Sequence, residues 1–401
     1  MGEGLEPPIS AIDGSRIEFD ELLEAYFRCR KNKRRTHNAL AFELDYEANL
    51  ITLWNEINDG IYRPGKSIAF IVKRPVKREI FAADFRDRIV HHLIISKLNP
   101  LFESVFIYDS YACRTGKGTL FGIRRLDRFI RRASSNYTQD AYILKLDIRG
   151  FFMHINAQIL YAKLVEFIHQ RYEGADKELL MSLTQVVLFN NPSQNCIIKG
   201  ARSGWDGLPK DKSLFYSPVN CGLPIGNLSS QVFANFYING FDHFIKKDCG
   251  IKFYGRYVDD FVLVHPDGHF LRSLIPIIRN YLYQELGLVL HPKKIYLQRC
   301  EKGVAYLGAI IKPGRIYMGN RIKGNFYGAI KKHNLQLEKL GEGKPDTSSR
   351  QSFQSSVNSY LGTMRHYNTY RLRKSMVSKN VQGWWRYAFV NGGVTKFSLK
   401  P

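Results

Sequence analysis

Two stretches of this chain carry acid where an apolar run ends. Tyr142-Ile143-Leu144-Lys145-Leu146 closes on Asp147, while Phe253-Tyr254-Gly255-Arg256-Tyr257 and Phe261-Val262-Leu263-Val264 flank Val258-Asp259-Asp260. Short apolar runs bounded by turn residues read as strands. The Asp-Asp pair between two of them reads as a tight hairpin turn, a place where aspartate is common for purely structural reasons. A second strand that also ends in aspartate shifts the balance toward chemistry. It sets carboxylates on neighbouring strand ends, an arrangement suited to hard divalent cations such as Mg²⁺, which takes one or two carboxylates and completes its shell with water and phosphate. Successive strand residues point to opposite faces, so Asp259 is expected to face such ions with Asp147, and Asp260 to tune the charge beside them.

Charge narrows the class further. Lysine plus arginine is 59 against 36 acidic residues in 401, a net of +23. This is either a solvated basic face or a footprint for phosphate backbones, and an excess of this size favours the second. No window holds the roughly 20 apolar residues of a membrane span, and the start MGEGLEPPIS lacks the basic and apolar regions of a secretion signal. The six cysteines are scattered singly, without a C-x-x-C pair. That pattern fits a reducing cytoplasm.

Along the chain, residues 1–60 read as a basic helical extension, with Leu22, Leu23, Tyr26 and Phe27 as its apolar face. The run Arg28-Cys29-Arg30-Lys31-Asn32-Lys33-Arg34-Arg35 is equally a solvated helix end or a nucleic-acid contact. Ser67-Ile68-Ala69-Phe70-Ile71-Val72 and Arg78-Glu79-Ile80-Phe81-Ala82 read as strands joined by a basic turn, and a helix is expected from Asp84 to Leu98 with Ile89, Leu93, Ile94 and Leu98 inward. A polar loop spans about 190–220. Past 320 the chain turns helical and basic, Val357, Tyr360, Leu361 and Met364 forming one helical face and residues 341–350 a linker.

With these elements placed, a family resemblance follows from the motifs. Tyr257-Val258-Asp259-Asp260 resembles the palm signature of reverse transcriptases, and Leu146-Asp147-Ile148-Arg149-Gly150-Phe151-Phe152 their first metal-binding motif. Gly222-Leu223-Pro224-Ile225-Gly226-Asn227-Leu228-Ser229-Ser230-Gln231 is similar to the segment cradling template and incoming nucleotide. Ala305-Tyr306-Leu307-Gly308 is similar to the primer grip. Ser110-Tyr111-Ala112-Cys113-Arg114-Thr115-Gly116-Lys117-Gly118-Thr119 and Phe85-Arg86-Asp87-Arg88-Ile89-Val90-His91-His92 resemble finger segments of the bacterial branch.

The resemblance implies an α+β right-hand polymerase: fingers over 61–140, a palm with an antiparallel sheet over 141–315, and a helical thumb over 316–401. It implies two Mg²⁺ ions (Mn²⁺ being possible) on Asp147, Asp259 and Asp260, with the carbonyl of Ile148 as a further ligand. Phe152 would bar a 2′-hydroxyl, or else is an ordinary core ring. Lys73 and Arg78 would hold the triphosphate, or template backbone alone. Ile225, Gly226 and Gln231 would line the nucleotide, and Lys293 or Lys294 would protonate the pyrophosphate. Tyr306, Leu307 and Gly308 would hold the primer. Arg30, Lys31, Lys33, Arg34, Arg35, Arg365, His366, Tyr370 and Arg371 are the expected nucleic-acid contacts, the last four being equally a packed helix with solvated basic residues.

Many relatives carry Gln-Gly where this chain has Ile225-Gly226, and Ser-Pro where it has Ser230-Gln231. The form seen here resembles enzymes of diversity-generating retroelements and defence-associated groups. It implies a non-coding RNA template or scaffold, dNTPs, a cDNA product, and an accessory protein or second copy of the chain as partners. Isoleucine can only pack where glutamine would hydrogen-bond, so looser nucleotide selection is expected. The chain ends soon after the thumb, which leaves no room for a maturase or endonuclease segment, and no second acidic cluster suggests RNase H. An RNA-dependent RNA polymerase and a non-catalytic RNA scaffold remain the alternatives. Phe152 speaks against the first and the full set of three aspartates against the second.

Overall fold

The computed structural model describes residues 16–31, 36–73, 76–341 and 343–400. The helices α1 (Phe19–Arg30), α2 (His37–Glu43) and α3 (Tyr46–Asn58) come first. The buried stripe of α1 is Leu22, Ala25, Tyr26 and Cys29, a regular i, i+3, i+4, i+7 pattern. Phe27 lies 53% exposed. The apolar face is thus rotated from the expected one, and Cys29 leaves the basic run for the core. Arg30 pairs with Glu43 at 2.5 Å, which staples α1 to α2. Lys31 is exposed at the helix end; Lys33, Arg34 and Arg35 lie outside the described residues.

Strands β1 (Ser67–Val72) and β2 (Arg78–Ala82) pair antiparallel, with Ile68 opposite Ala82 and Val72 opposite Arg78. In α4 (Phe85–Val105) the Asp84 carboxylate accepts the Arg86 N–H as a cap. Ile89, Leu93, Ile94 and Leu98 are all buried, but the helix continues beyond Leu98 and through Pro100. An interior proline costs about 3 kcal/mol. Burial of Phe102 against Phe236, ring centroids 4.7 Å apart, offsets that cost, and local propensity could not reveal it.

Next come α5 (Thr119–Ala133), β3 (Tyr142–Asp147), the single turn α6 (Phe151–His154), α7 (Ala157–Arg171) and α8 (Lys177–Phe189). The stretch expected as a polar loop contains β4 (Cys196–Ile198), which runs parallel to β1 with Ser67 opposite Cys196. Three short 3₁₀ turns follow it. The chain continues through α9 (Leu228–Tyr237), α10 (Asn239–Lys247), β5 (Phe253–Tyr257), β6 (Asp260–His265), α11 (Gly268–Leu286) and β7 (Tyr296–Arg299). A meander of β8 (Val304–Tyr306), β9 (Ala309–Lys312) and β10 (Arg315–Met318) leads to α12 (Asn320–Glu338), α13 (Thr347–Met364) and α14 (Tyr370–Asn380), then β11 (Ala388–Val390) and β12 (Phe397–Leu399).

The sheets are ordered β2-β1-β4, β5-β6-β3-β7, β10-β9-β8 and β11-β12. Contacts divide the chain into two compact units. The first takes residues up to Cys113 with Lys145–Phe261 and Ser273–Ile295; the second takes Arg114–Leu144, Val262–Arg272 and the remainder from Tyr296. Within the first, α4 is a central helix that packs on α1, α8 and α9. Within the second, α12, α13 and α14 share a core in which Phe353 stacks on Trp384, centroids 4.0 Å apart. The β11-β12 hairpin is an addition to the helices expected there. Its three-residue strands are too short to carry a periodic signal. The Asn391 side chain closes its turn by accepting the N–H groups of Thr395 and Lys396. Among the described residues no helix is long and apolar enough to cross a membrane.

Candidate active site

The turn between β5 and β6 consists of Val258 and Asp259. Val258 has φ +58°, a left-handed conformation that costs a β-branched residue on the order of 1–3 kcal/mol. Such strain persists only where the surroundings over-determine it, and here they do. The Arg256 guanidinium donates to the Val258 carbonyl at 3.1 Å. It also forks onto Asp242 at 2.8 and 2.7 Å and reaches the side-chain oxygens of Asn235 and Ser110 at 3.2 Å. Tyr254 donates its hydroxyl to the same aspartate at 2.6 Å. Arg256 and Asp242 have no exposed side-chain surface. This paired, fully hydrogen-bonded cluster is the anchor beneath the acidic turn.

Three segments meet at the aspartates. The N–H of Ile148, just after β3, donates to the Asp259 carbonyl at 3.1 Å, and the His291 N–H donates to the Asp147 carbonyl at 2.8 Å. Lys294 Nζ donates to both carboxylate oxygens of Asp147 at 2.8 and 2.9 Å. Lys145 Nζ stands 3.3 Å from Asp260 Oδ2, while Asp260 Oδ1 is buried without a hydrogen-bond partner. Burial, then the charge of Asp147, pushes the Asp259 carboxyl up to about 6, although Lys294 and Arg78 pull it down. Burial likewise raises Asp260 to about 6 against the pull of Lys145.

The donor set fits a divalent cation. Two partly buried carboxylates are held in a setting that penalises their charge, and one oxygen has no donor. Among the described residues no three acidic, imidazole or thiol groups already form one ion-binding cluster. The fit is therefore to an ion held by one or two carboxylates with phosphate oxygens completing the shell, the usual habit of Mg²⁺.

Residues 222–227 are pinned between α6 and β2. The Leu223 N–H donates to the Phe152 carbonyl and the Phe81 N–H to the Ile225 carbonyl, both at 2.8 Å. Asn227 Oδ1 accepts the Ala83 N–H at 3.1 Å. Gly226 has φ +130°, and a Cβ there would lie 2.8 Å from Ile80 Cγ2 and 2.9 Å from the Phe81 carbonyl, so only glycine fits. Phe152 and Ile225 are both partly buried and pack on one cluster of Ala69, Phe81, Met153 and Leu214. The segment after β4 encloses that cluster. Buried Glu79 accepts from Trp205 Nε1, Ser213 Oγ and the Leu214 N–H, each at 2.6 Å. Asp211 pairs with Arg149 at 2.9 Å.

Asp147, Ile148, Asp259 and Asp260 meet in this unit, and Phe152 and Ile225 share one cluster. Lys73 and Arg78 are exposed at the ends of β1 and β2, and only Arg78 acts electrostatically on Asp259. The lysine at Asp147 is Lys294, whereas Lys293 is exposed and donates its backbone N–H to His291 Nδ1 at 3.2 Å. The two share one turn, so residue type alone could not separate them. Gln231 accepts from the Cys113 thiol at 3.0 Å. Lys145 was missed, yet it lies two residues before Asp147 and so on the same face of β3. Glu79 and the Arg256–Asp242 pair left no signal, since each partner is distant in sequence.

In the second unit, Leu307 and Gly308 form the two-residue turn joining β8 to β9, with φ +49° and +86° and Tyr306 opposite Ala309. Positive φ at both positions matches the turn that suits the twist of a hairpin. Arg365, His366, Tyr370 and Arg371 are exposed at the corner between α13 and α14.

Helices with mostly antiparallel sheets make the chain α+β in class, and one of those sheets carries aspartates at its strand ends. Residues 73–311 match the family model of reverse transcriptase (RNA-dependent DNA polymerase). The chain belongs to that family. None of the curated proteins matches it in sequence. Among solved structures, apo telomerase from Candida tropicalis truncated from its C-terminal domain is similar over 63% of this chain and 55% of its own, at 13% identity and TM-score 0.46. Apo telomerase from the same organism is similar over 80% of this chain and 59% of its own, at 14% identity and TM-score 0.47. Telomerase from Candida albicans, solved with a TWJ fragment of telomeric RNA, is similar over 79% and 57%, at 14% identity and TM-score 0.41. The chain thus spans a little over half the length of these structures.

Proposed function

We propose that the chain adds dNTPs to a primer 3′-hydroxyl on an RNA template, with Asp147 and Asp259 holding two Mg²⁺ ions and the Ile148 carbonyl adding a ligand. Bound there, such ions supply activation of the hydroxyl and neutralisation of charge on the triphosphate. Asp260, held by Lys145, tunes the local charge. Arg78, with Lys73, holds the triphosphate; arginine suits bidentate phosphate contact. Phe152, backed by the cluster it shares with Ile225, excludes a 2′-hydroxyl. Lys294, in place of Lys293, supplies a proton to the leaving pyrophosphate. Fingers over 61–140, palm over 141–315 and thumb over 316–401 complete the assignment, with Tyr306, Leu307 and Gly308 gripping the primer.

The observation that carries this reading is the meeting of Asp147, Asp259 and Asp260 at one end of the β5-β6-β3 sheet, three carboxylates against the two lysines Lys294 and Lys145, with Asp260 Oδ1 left without a hydrogen-bond partner. Replacing Asp259 and Asp260 by alanine abolishes synthesis while RNA binding persists; undiminished synthesis overturns the assignment. Comparing dNTP with rNTP incorporation tests the sugar choice against an RNA polymerase. Misincorporation unchanged in Ile225→Gln would show that Ile225 does not loosen selection.

The biological setting we propose is a diversity-generating retroelement or antiphage defence, with a dedicated non-coding RNA as template and scaffold. The Ile225-Gly226 and Ser230-Gln231 pattern supports that branch, and the net charge of +23 supports the RNA. Purifying the protein from its host and sequencing the bound RNA and the DNA made from it decides between the two.

A further inference from the structure

The helix α5 divides cleanly into two faces. Gly122, Ile123, Leu126, Phe129, Ile130 and Ala133 are buried, and the helix packs on β9 within the second unit. The opposite face is built of arginine. Arg124, Arg128, Arg131 and Arg132 are exposed, and Arg125 is half-buried with its guanidinium 4.9 Å from the Phe129 ring. Asp127 is the only acid on the helix, and the helix carries no lysine. Five like charges over nine residues repel one another along a helix. Such a face is maintained against its own repulsion when something anionic meets it.

Both the residue type and the spacing indicate what that partner is. Arginine presents a planar fork that matches phosphate oxygens, which lysine does not. Arg124, Arg128 and Arg132 are successive fourth residues, so they form one row with about 6 Å between members along the axis, a spacing of the order of successive phosphates in a strand. The corner that ends the helix is fixed. Ser135, Asn136 and Tyr137 all have left-handed φ, of 48°, 59° and 70°. The N–H groups of Ser135 and Asn136 return to the carbonyls of Arg132 and Arg131. The row is therefore presented on a rigid element with a closed end.

We propose that the arginine row of α5 docks the phosphate backbone of folded, base-paired RNA. This rests on the reading of the protein as one that carries a structured RNA, and it adds a surface that the reaction chemistry does not use. Paired RNA is recognised largely by its shape and backbone, which is what a row of arginines without base-reading amides can grip.

The test uses the full chain and the variant Arg124→Gln/Arg128→Gln/Arg132→Gln, whose altered side chains are exposed and leave the apolar face intact. A fluorescent RNA hairpin of about 20 base pairs, a DNA hairpin of the same sequence and poly-glutamate are titrated between 50 and 200 mM salt, without divalent metal or dNTP. The expected result is at least about a tenfold loss of RNA-hairpin affinity at low salt. The slope of log affinity against log salt should fall by roughly 2–3, one phosphate contact being worth about 0.9. The triple lysine variant keeps most of the slope. Unchanged RNA binding overturns the proposal. So does a loss confined to poly-glutamate, which would make the row a site for an acidic protein, or a loss larger for the DNA hairpin. Because the assay involves no synthesis, its failure is separate from failure of the polymerase assignment, which the aspartate variants test.

Discussion

The first unit holds cations against carboxylates in two different ways. Arg256 and Asp242 are fully buried, forked, and surrounded by Tyr254, Asn235 and Ser110, so their polar atoms on either side are occupied. Lys294–Asp147 and Lys145–Asp260 are partly exposed, made by point-charge ammonium groups, and leave Asp260 Oδ1 without a donor. The contrast separates scaffold from site. A satisfied buried pair has nothing left to offer a ligand, and breaking it strands a charge. An under-satisfied pair at a strand end can exchange its ammonium for a stronger cation.

The largest effect should come from the site side of that contrast. Asp259→Asn keeps the shape and removes the charge, so synthesis should fall by on the order of a thousand-fold, equivalent to about 4 kcal/mol of transition-state charge stabilisation. The melting temperature should stay level or rise, because one of two mutually repelling, partly buried carboxylates is gone. Primer extension and thermal denaturation measured together decide the matter; a variant that loses stability along with activity would place Asp259 among the scaffold residues.

On the scaffold side the sign reverses. Arg256→Met leaves Asp242 charged and unpaired and should destabilise the protein by about 3–5 kcal/mol in denaturant unfolding. Adding Asp242→Leu should recover most of that stability, since apolar replacement of both partners removes the stranded charge. Activity should not recover with it. The Val258 carbonyl would still lack the Arg256 donor, and the strained turn that aims Asp259 would relax. Full recovery of activity in the double variant would show that the pair serves stability alone.

The site also predicts opposed pH trends. Asp259 and Asp260 titrate near 6 in the folded chain, against about 4 for an unfolded aspartate. Between those values the folded state holds more protons, so metal-free stability is highest below the window and declines as pH rises from about 4 through 6. Activity needs the ionised carboxylates and should fall as pH drops through about 6. Raising Mg²⁺ should move that acid limb downward, because the ion binds the deprotonated form. A limb that ignores Mg²⁺ concentration would assign it to a group other than these aspartates.

How much of this was legible beforehand follows the same division. The aspartates, the strands bearing them and the hairpin β1-β2 announce themselves locally, through alternation, turn residues and motif. Gly226 could be read as a required glycine only by resemblance; the reason, a clash with Ile80 and Phe81, lies 145 residues away in sequence. The scaffold was invisible for the same reason. Arg256 and Asp242 look like ordinary surface charges in the sequence, and Glu79 looks like a polar strand residue. The segment it binds read as a bare polar loop, because β4 has three residues and gains its order from β1. Phe27 and Cys29 exchanged roles on α1 because an apolar residue and a buried residue are different things when a helix has more than one candidate stripe.

The smallest effect tests whether Lys294 stands where a cation belongs. Its side chain is 43% exposed, so solvent screens the pair with Asp147, which is worth only the few tenths to about 1 kcal/mol of an exposed ion pair. Lys294→Met removes a competitor for Asp147, and the Mg²⁺ concentration for half-maximal synthesis should fall by roughly two- to fivefold, the same energy expressed as binding. The acid limb of activity should move up slightly, since Lys294 is one of the charges holding Asp259 down. If Lys294 also supplies the proton to pyrophosphate, kcat falls while the Mg²⁺ requirement still drops, and the two effects separate in a metal titration at saturating dNTP. A higher Mg²⁺ requirement would mean that Lys294 orients Asp147 for the ion, moving this pair from the site to the scaffold side of the comparison.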